Sequence, residues 1–564
     1  MRIISHLIFL AMIAFFLCFF VMPILTTLQV AFVNTKGGFT LDYVWEVFRN
    51  GLYREGLWNS FILAVWSLAG CLLFSIPLAI LYNRYRFPGK DLLHGLLLAP
   101  MILPPFVGAI GVRAILGQAG ALNSLLIHLG LMNAAHPADW LGHGQVVGIV
   151  LMNVLHLYPI LYLNVTAALG NLDPALDEAA ATLGGAPFAR VWHITLPLIM
   201  PGIFAGSTIV FIWAFTELGV PLVFDFTRVS SVQIFNGLKD LGGNPFPYAL
   251  VTVMLVITGL LYLVSKLAFE RRIGRVDSGR TALARTEIEL ARPVAITFTI
   301  LFSACIALAI LPHLGVILLS LSSDWYQTVL PQGLTLQHFH DALGSDLTLS
   351  SVANSLKYAS LATLVDLILG VGIAYVNTRT RLWGRHLLDA MAMLPLAVPG
   401  LVMAFGYWAM TREGQRFHWL MLGENPLVLL VIAYSVRRLP YMVRSATAGF
   451  QQINVSLEEA AQNLGASPSR TFLKVTLPLV APNLLAGALL AFALAMLEVA
   501  DSLILAQQSV HYPITKALYV LLNSLGDGPW QAAALGVWAM IFLGVILAGV
   551  GLLLGRRLGS ILRM

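Results

Sequence analysis

Long apolar runs separated by short polar connections make up most of this chain. Stretches near residues 6 to 31, 57 to 83, 91 to 116, 146 to 170, 199 to 220 and 247 to 268 are each long enough to cross the ~30 Å hydrocarbon layer as helices. A second set lies near 292 to 320, 352 to 376, 386 to 410, 426 to 446, 481 to 505 and 533 to 556. The pattern predicts an all-α polytopic membrane protein with about twelve transmembrane helices, six in each half. Pro104-Pro105 and Pro399-Gly400 predict kinks or ends in the third and ninth spans.

Composition agrees with the pattern. At 58% hydrophobic and 11% charged residues, with a mean hydropathy of +0.83, the 564-residue chain cannot present a mostly solvated surface. The opening Met1-Arg2-Ile3 resembles the start of a signal peptide, yet the apolar run passes Phe20 without a small-residue cleavage site, so a retained first span is expected. Cys18, Cys71 and Cys305 all fall inside apolar runs, which predicts packing rather than disulfides or a thiolate metal cluster.

The net charge of +6 does not signal nucleic-acid binding, because the cations are placed for a membrane. With the N-terminus inside, the cytoplasmic connections hold Arg84, Arg86 and Lys90, then Lys266, Arg271, Arg272, Arg275, Arg280 and Arg285, then Arg379, Arg381 and Arg385, then Arg556, Arg557 and Arg563. The opposite connections are poor in Lys and Arg, so both termini are expected in the cytoplasm. The connections on that opposite side are too short to fold alone and read as a cap or docking surface.

The chain is internally duplicated. Glu178-Ala179-Ala180, Gly184 and Ile194-Thr195-Leu196-Pro197 return 281 positions later as Glu459-Ala460-Ala461, Gly465 and Val475-Thr476-Leu477-Pro478. Roughly 16 of 41 positions match without a gap from Asp177/Glu458 to Glu217/Glu498. Asn59-Ser60 and Asn354-Ser355, Arg84 and Arg379, Pro100 and Pro395, and Pro104 and Pro399 match at an offset of 295. Six spans per half make the copies parallel, which predicts a pathway at their interface.

Each duplicated loop has a mechanical reading. Glu178 to Leu183 and Glu459 to Leu464 read as helices broken by Gly184 and Gly465. Ser467-Pro468 reads as a helix cap followed by proline in the first turn, opening a second short helix that ends before Leu477-Pro478. Two short helices at an angle would form a knob.

This pattern resembles the signature loop of type I ABC importer permeases, and the chain carries it twice. The likeness spans essentially the whole sequence, in the fused double-permease form of the ferric-iron, thiamine and 2-aminoethylphosphonate importer groups. It implies a first permease repeat over 1–269, a cytoplasmic linker over 270–291 and a second repeat over 292–564. The implied ATPase-coupling loops lie at about 177–197 and 458–478. Their residues are Glu178, Ala179, Ala180, Gly184, Pro187, Leu196 and Pro197, with Glu459, Ala460, Ala461, Gly465, Pro468, Leu477 and Pro478 in the second copy.

The resemblance further implies a bacterial inner-membrane protein served by two copies of an ABC ATPase at the cytoplasmic face and by an external substrate-binding protein. No Gly-x-x-x-x-Gly-Lys-Ser/Thr phosphate loop occurs, since Gly89-Lys90 is followed by Asp91. ATP and Mg are therefore expected on the partner ATPase, with no cofactor and no catalytic residue in this chain. Ferric iron is the leading cargo by resemblance, with 2-aminoethylphosphonate or another phosphorylated small molecule, or thiamine, as alternatives. An ion-gradient-driven secondary transporter would share the topology but not the two loops.

Candidate pathway residues point in opposite directions. Glu217 and Glu498 occupy matching positions near the outer ends of the fifth and eleventh spans, followed by Asp225 and Asp501. Carboxylates at membrane depth suit a gate or a transient contact with a cation, or a hydrogen bond at a helix end. His156 aligns with Arg437, and Arg438 stands beside it. The arginines suit an aqueous path that favours an anion, or a brace toward the headgroups. His338-Phe339-His340 lacks acidic or thiolate partners and reads as a solvated loop rather than a metal site.

Overall fold

The computed structural model describes residues 2–34, 37–102, 104–238, 244–273 and 287–554. Among them the fold is helical, apart from a two-residue parallel pairing of Tyr85–Arg86 with Ile288–Glu289 and two isolated bridges. Among the described residues, ten helices are long and apolar enough to cross a membrane.

Three of the twelve expected spans depart from a straight apolar helix. The ninth is a bent pair, Arg385–Leu396 and Gly400–Met410, meeting at 101°. Pro399 has ψ 139 and caps the second piece, so the chain leaves helical geometry where proline was expected to end it. The tenth, Leu427–Gln452, has 26 residues and so about 39 Å of length, but carries Arg437, Arg438 and Arg444. The third span is also displaced. Instead of running from 91 to 116, the chain forms Lys90–Leu96, a tight turn over Ala99–Ile102, and a new helix from Pro105 after Pro104 at ψ 132.

The chain divides into two compact units. Among the described residues, one combines the chain up to Gly56 with Ser230–Val256 and the chain from Leu336 to Leu554; the other combines Leu57–Val229 with Ile257–Thr335. The first span of each half thus belongs to the unit built mainly by the opposite half. The linker expected over 270–291 lies mostly outside the described residues, as do Arg556, Arg557 and Arg563.

Glycine makes these exchanged contacts possible. In the second unit, Arg292–Leu321 packs on Pro105–Leu116 so closely that a Cβ on Gly111 would lie 2.2 Å from the Pro312 carbonyl oxygen. In the first unit, Met22–Phe32 packs on Gly400–Met410, where a Cβ on Gly406 would lie 2.7 Å from the Pro23 carbonyl oxygen. Gly111 and Gly406 are repeat equivalents at the offset of 295. The Tyr407 hydroxyl donates to the Phe19 carbonyl at 2.7 Å and fastens the same crossing.

Ala374, Met442, Ala446, Phe450, Val480 and Leu484 form a buried cluster shared by three helices, Asp346–Arg379, Leu427–Gln452 and Leu477–Met496. Burial of this apolar surface holds the roots of the second duplicated loop in place. Leu73, Ile368, Ile541 and Val545 are exposed on span helices, as expected of side chains facing lipid tails.

Candidate functional site

The two duplicated loops adopt one geometry. In the first, Pro174–Thr182 is capped by the Asp173 carboxylate, which accepts from the Ala175 N–H, and Gly184 turns the chain at φ +81. Its N–H donates to Ala181 and that of Gly185 to Ala180, closing the helix end. In the second, Val455–Asn463 is capped by Asn454 and Gly465 turns at φ +87. Both helices begin earlier than Glu178 and Glu459, because the capping Asp173 and Asn454 stand upstream.

After the turn come Pro187–Arg190 and Pro468–Thr471. Ser467 caps the second of these by accepting from the Arg470 N–H, as its sequence suggests. The expected end before Leu-Pro is not found. Each chain instead widens into one π turn, Val191–Thr195 or Phe472–Thr476, and runs on as Leu196–Phe215 or Leu477–Met496. Pro197 and Pro478 have no N–H to give to the preceding turn, and the wider turn absorbs the mismatch.

Ion pairs brace both knobs. The Arg84 guanidinium reaches Asp177 at 3.1 Å, and Arg190 reaches the same carboxylate at 3.2 Å. In the second copy Arg379 reaches Glu458 at 3.0 Å and donates to the Phe450 carbonyl at 3.0 Å. Arg84 and Arg379 are recognisable in the sequence as repeat partners, but nothing in their spacing tells which carboxylates they grip.

The braced knobs expose apolar tips. Leu183 is 88% exposed and Leu464 is 89% exposed. Glu178 and Glu459 are exposed beside them, and Phe188 stacks on Trp192 in the first loop. A rigid helix-turn-helix with an apolar tip is suited to inserting into a complementary groove.

The pathway candidates assemble differently in the two halves. Glu498 is buried, and both Arg437, at 3.3 Å, and Arg438 converge on its Oε2. The carboxylate and the arginines that suggested opposite cargo charges are thus partners. Glu217 accepts from the Gly219 and Val220 N–H groups at 2.9 and 3.2 Å, capping the short helix Gly219–Val223. His156 places Nδ1 3.3 Å from the Pro100 carbonyl oxygen. Asp225 is exposed, 3.8 Å from Arg113.

His338 does not lie in a solvated loop. It is buried on the helix Gln337–Gly344, stacked against Trp530, because the segment docks on Gly528–Leu554; His340 is exposed beside Asp341. Among the described residues no group of three or more His, Cys, Asp or Glu side chains is placed to hold a metal ion.

Residues 72–275 and 366–558 each match the family of binding-protein-dependent transport system inner membrane components. The chain belongs to this family. It is a multi-pass inner-membrane permease of the ABC transporter class, a transport subunit whose family works with an ATPase and a substrate-binding protein.

A probable ABC transporter permease protein, y4fN, of Sinorhizobium fredii is 27% identical over 96% of this chain and 95% of its own length. The ferric transport system permease protein FbpB of Actinobacillus pleuropneumoniae is 26% identical over 87% of this chain and 68% of its own. The molybdenum transport system permease protein ModB of Escherichia coli is 31% identical over 40% of this chain and 97% of its own. A stretch of this chain shorter than half therefore corresponds to nearly the whole of a smaller permease.

Proposed function

We propose that this chain is the membrane permease of a ferric-iron importer and that its two duplicated loops are the ATPase-docking knobs. The observation that carries the docking role is the recurrence, in both halves, of a glycine-turned knob with an ion-paired base and an exposed leucine tip. Two knobs call for two ATPase copies, one on each, with ATP and Mg bound there and no cofactor in this chain. Both termini then lie in the cytoplasm with the loops, and a binding protein delivers cargo from the other face.

In this reading, ATP closes the ATPase pair, the knobs follow, and the membrane helices open toward the loaded binding protein. A preference of the closed pair for one membrane conformation drives the change. Ferric iron is favoured by the ferric permeases matched along most of the chain. The case for a phosphorylated cargo loses its main support, since Arg437 and Arg438 are both engaged by Glu498.

The test is reconstitution of the permease in vesicles with the ATPase and binding protein encoded beside it. Cargo-stimulated ATP hydrolysis and uptake should respond to ferric iron and not to molybdate, 2-aminoethylphosphonate or thiamine. Stimulation by one of those instead would replace the cargo. Uptake that needs no ATP would sink the importer mechanism itself.

A further inference from the structure

The duplication extends to a pair of elbows apart from the knobs. Gly51–Arg84 turns through Arg86 and Gly89 into the short helix Lys90–Leu96, and Asp346–Arg379 turns through Arg381 and Gly384 into Arg385–Met393. Gly89 and Gly384 are equivalent at the offset of 295, and both precede their helix in the left-handed region, at φ +73 and +91. Leu93 and Leu388 are buried, while Leu92 and Leu387 beside them are exposed. Each elbow carries two cations at matching positions, Arg86 with Lys90 and Arg381 with Arg385.

The two elbows differ in what covers those cations. In the first, Ile288–Glu289 pairs with Tyr85–Arg86, Glu287 reaches Lys90 at 2.6 Å, and Glu289 stands 3.7 Å from Arg86. In the second, neither Arg381 nor Arg385 has a carboxylate partner among the described residues. Arg385 donates to the Thr380 carbonyl at 2.8 Å and points Nε at His386, while Asp389 on the same helix accepts from Asn377 at 3.1 Å. Arg381 is exposed. Where the first elbow has Pro88, the second has Trp383, whose side chain is 98% exposed.

A bare indole between two arginines without counter-charges suits a surrounding that is apolar on one side and anionic on the other. The edge of a bilayer is such a place: aromatic rings settle at the headgroup level and guanidiniums take phosphate oxygens. The patch continues the lipid-facing surface. Arg2–Phe16 packs on Arg385–Met393, a Cβ on Gly384 would lie 3.1 Å from the Phe9 ring, and Leu7 and Leu10 to either side of Phe9 in the chain are exposed. The first elbow shows the charge complement, since two glutamates of its own linker cover the matching cations. We propose that Arg381, Trp383 and Arg385 bind the headgroup of an anionic phospholipid, with the phosphate on the guanidiniums and the indole at the level of the glycerol. The lipid is one of the cytoplasmic leaflet, a placement that rests on the orientation proposed above.

Quenching by brominated lipid tests this in the full chain reconstituted into phosphatidylcholine vesicles. The emission of Trp383 is isolated as the difference between protein with and without Trp383→Phe. Phosphatidylglycerol brominated near the glycerol should quench it at a lower mole fraction than phosphatidylcholine brominated at the same carbons. Arg381→Gln should raise the half-quenching fraction of phosphatidylglycerol about fivefold, the worth of one arginine at an anionic surface, with the melting temperature unchanged. Equal quenching by the two lipids, none by either, or a preference that survives Arg381→Gln would overturn the proposal. So would emission that shifts only when the partner ATPase is added, which gives the surface to a protein, or release of the lipid by soluble glycerol phosphate, which makes a free phosphate the ligand. Brominated lipid lies in both leaflets, so this readout does not depend on orientation. An impermeant maleimide should label Trp383→Cys in inverted and not in right-side-out membrane vesicles, and the reverse would overturn the cytoplasmic placement alone.

Discussion

The guanidinium of Arg437 occupies the space where residue 400 would carry a side chain: Nη1 lies 1.2 Å from the Cβ position of Gly400. Gly400 opens the second piece of the bent span, so the Arg437 guanidinium that pairs with Glu498 lies where a methyl group at this position would stand. Gly400→Ala should push Arg437 off Glu498 and lower stability by about 1–3 kcal/mol. The measurement is a double-mutant cycle with Arg437→Ala on thermal melting. The two losses should fail to add, and strict additivity would show that the contact carries no energy.

Removing the carboxylate at repeat-equivalent positions should have unequal effects. Glu498→Ala strands buried Arg438 and half-buried Arg437 and should cost about 3–5 kcal/mol. Glu217→Ala removes a helix cap and should cost about 1 kcal/mol. Melting of both variants in the same detergent checks the ranking, and equal losses would contradict the pairing described for Glu498.

Gly111→Ala should be costly because the obstruction is backbone. Its Cβ would meet the Pro312 carbonyl oxygen at 2.2 Å and the Val316 nitrogen at 2.7 Å, neither of which can rotate away. A loss of about 1–3 kcal/mol or more is expected. Gly259→Ala, with nothing within 4 Å of its Cβ position, is the control and should be neutral or slightly stabilising.

If the knobs dock the ATPase, charging their tips should weaken that association without unfolding the permease. Leu464→Asp should reduce ATPase affinity about tenfold, the equivalent of 1.4 kcal/mol, and combination with Leu183→Asp should reduce it further. Surface plasmon resonance of the ATPase on immobilised permease gives the answer. Unchanged binding in the double variant would move the docking site elsewhere.

Much of the membrane architecture was legible from apolar run length, and the breaks at Pro104 and Pro399 from proline chemistry, because both are local properties. The knobs were legible for the same reason, although their caps at Asp173 and Asn454 lay upstream of the repeated motif. The π turns were not, since a proline in a helix announces a lost hydrogen bond but not how the preceding turn adjusts. The partners of Glu498 were hidden because the arginines sit 60 and 61 positions away on another helix. Their opposite charges invited two separate roles where the fold makes one pair.

The placement of the first span has a consequence for how the protein is made. Phe16, Phe20 and Pro23 are buried in a unit whose other walls, Asp346–Arg379 and Gly400–Met410, are encoded roughly 300 residues later. At the ordinary pace of a ribosome the opening helix therefore waits on the order of half a minute in the bilayer before its seat exists. Through that interval it is a lone apolar rod among lipids and half-finished neighbours. That helix thus stays unseated even after the first knob, Pro174–Arg190, has been synthesised in full.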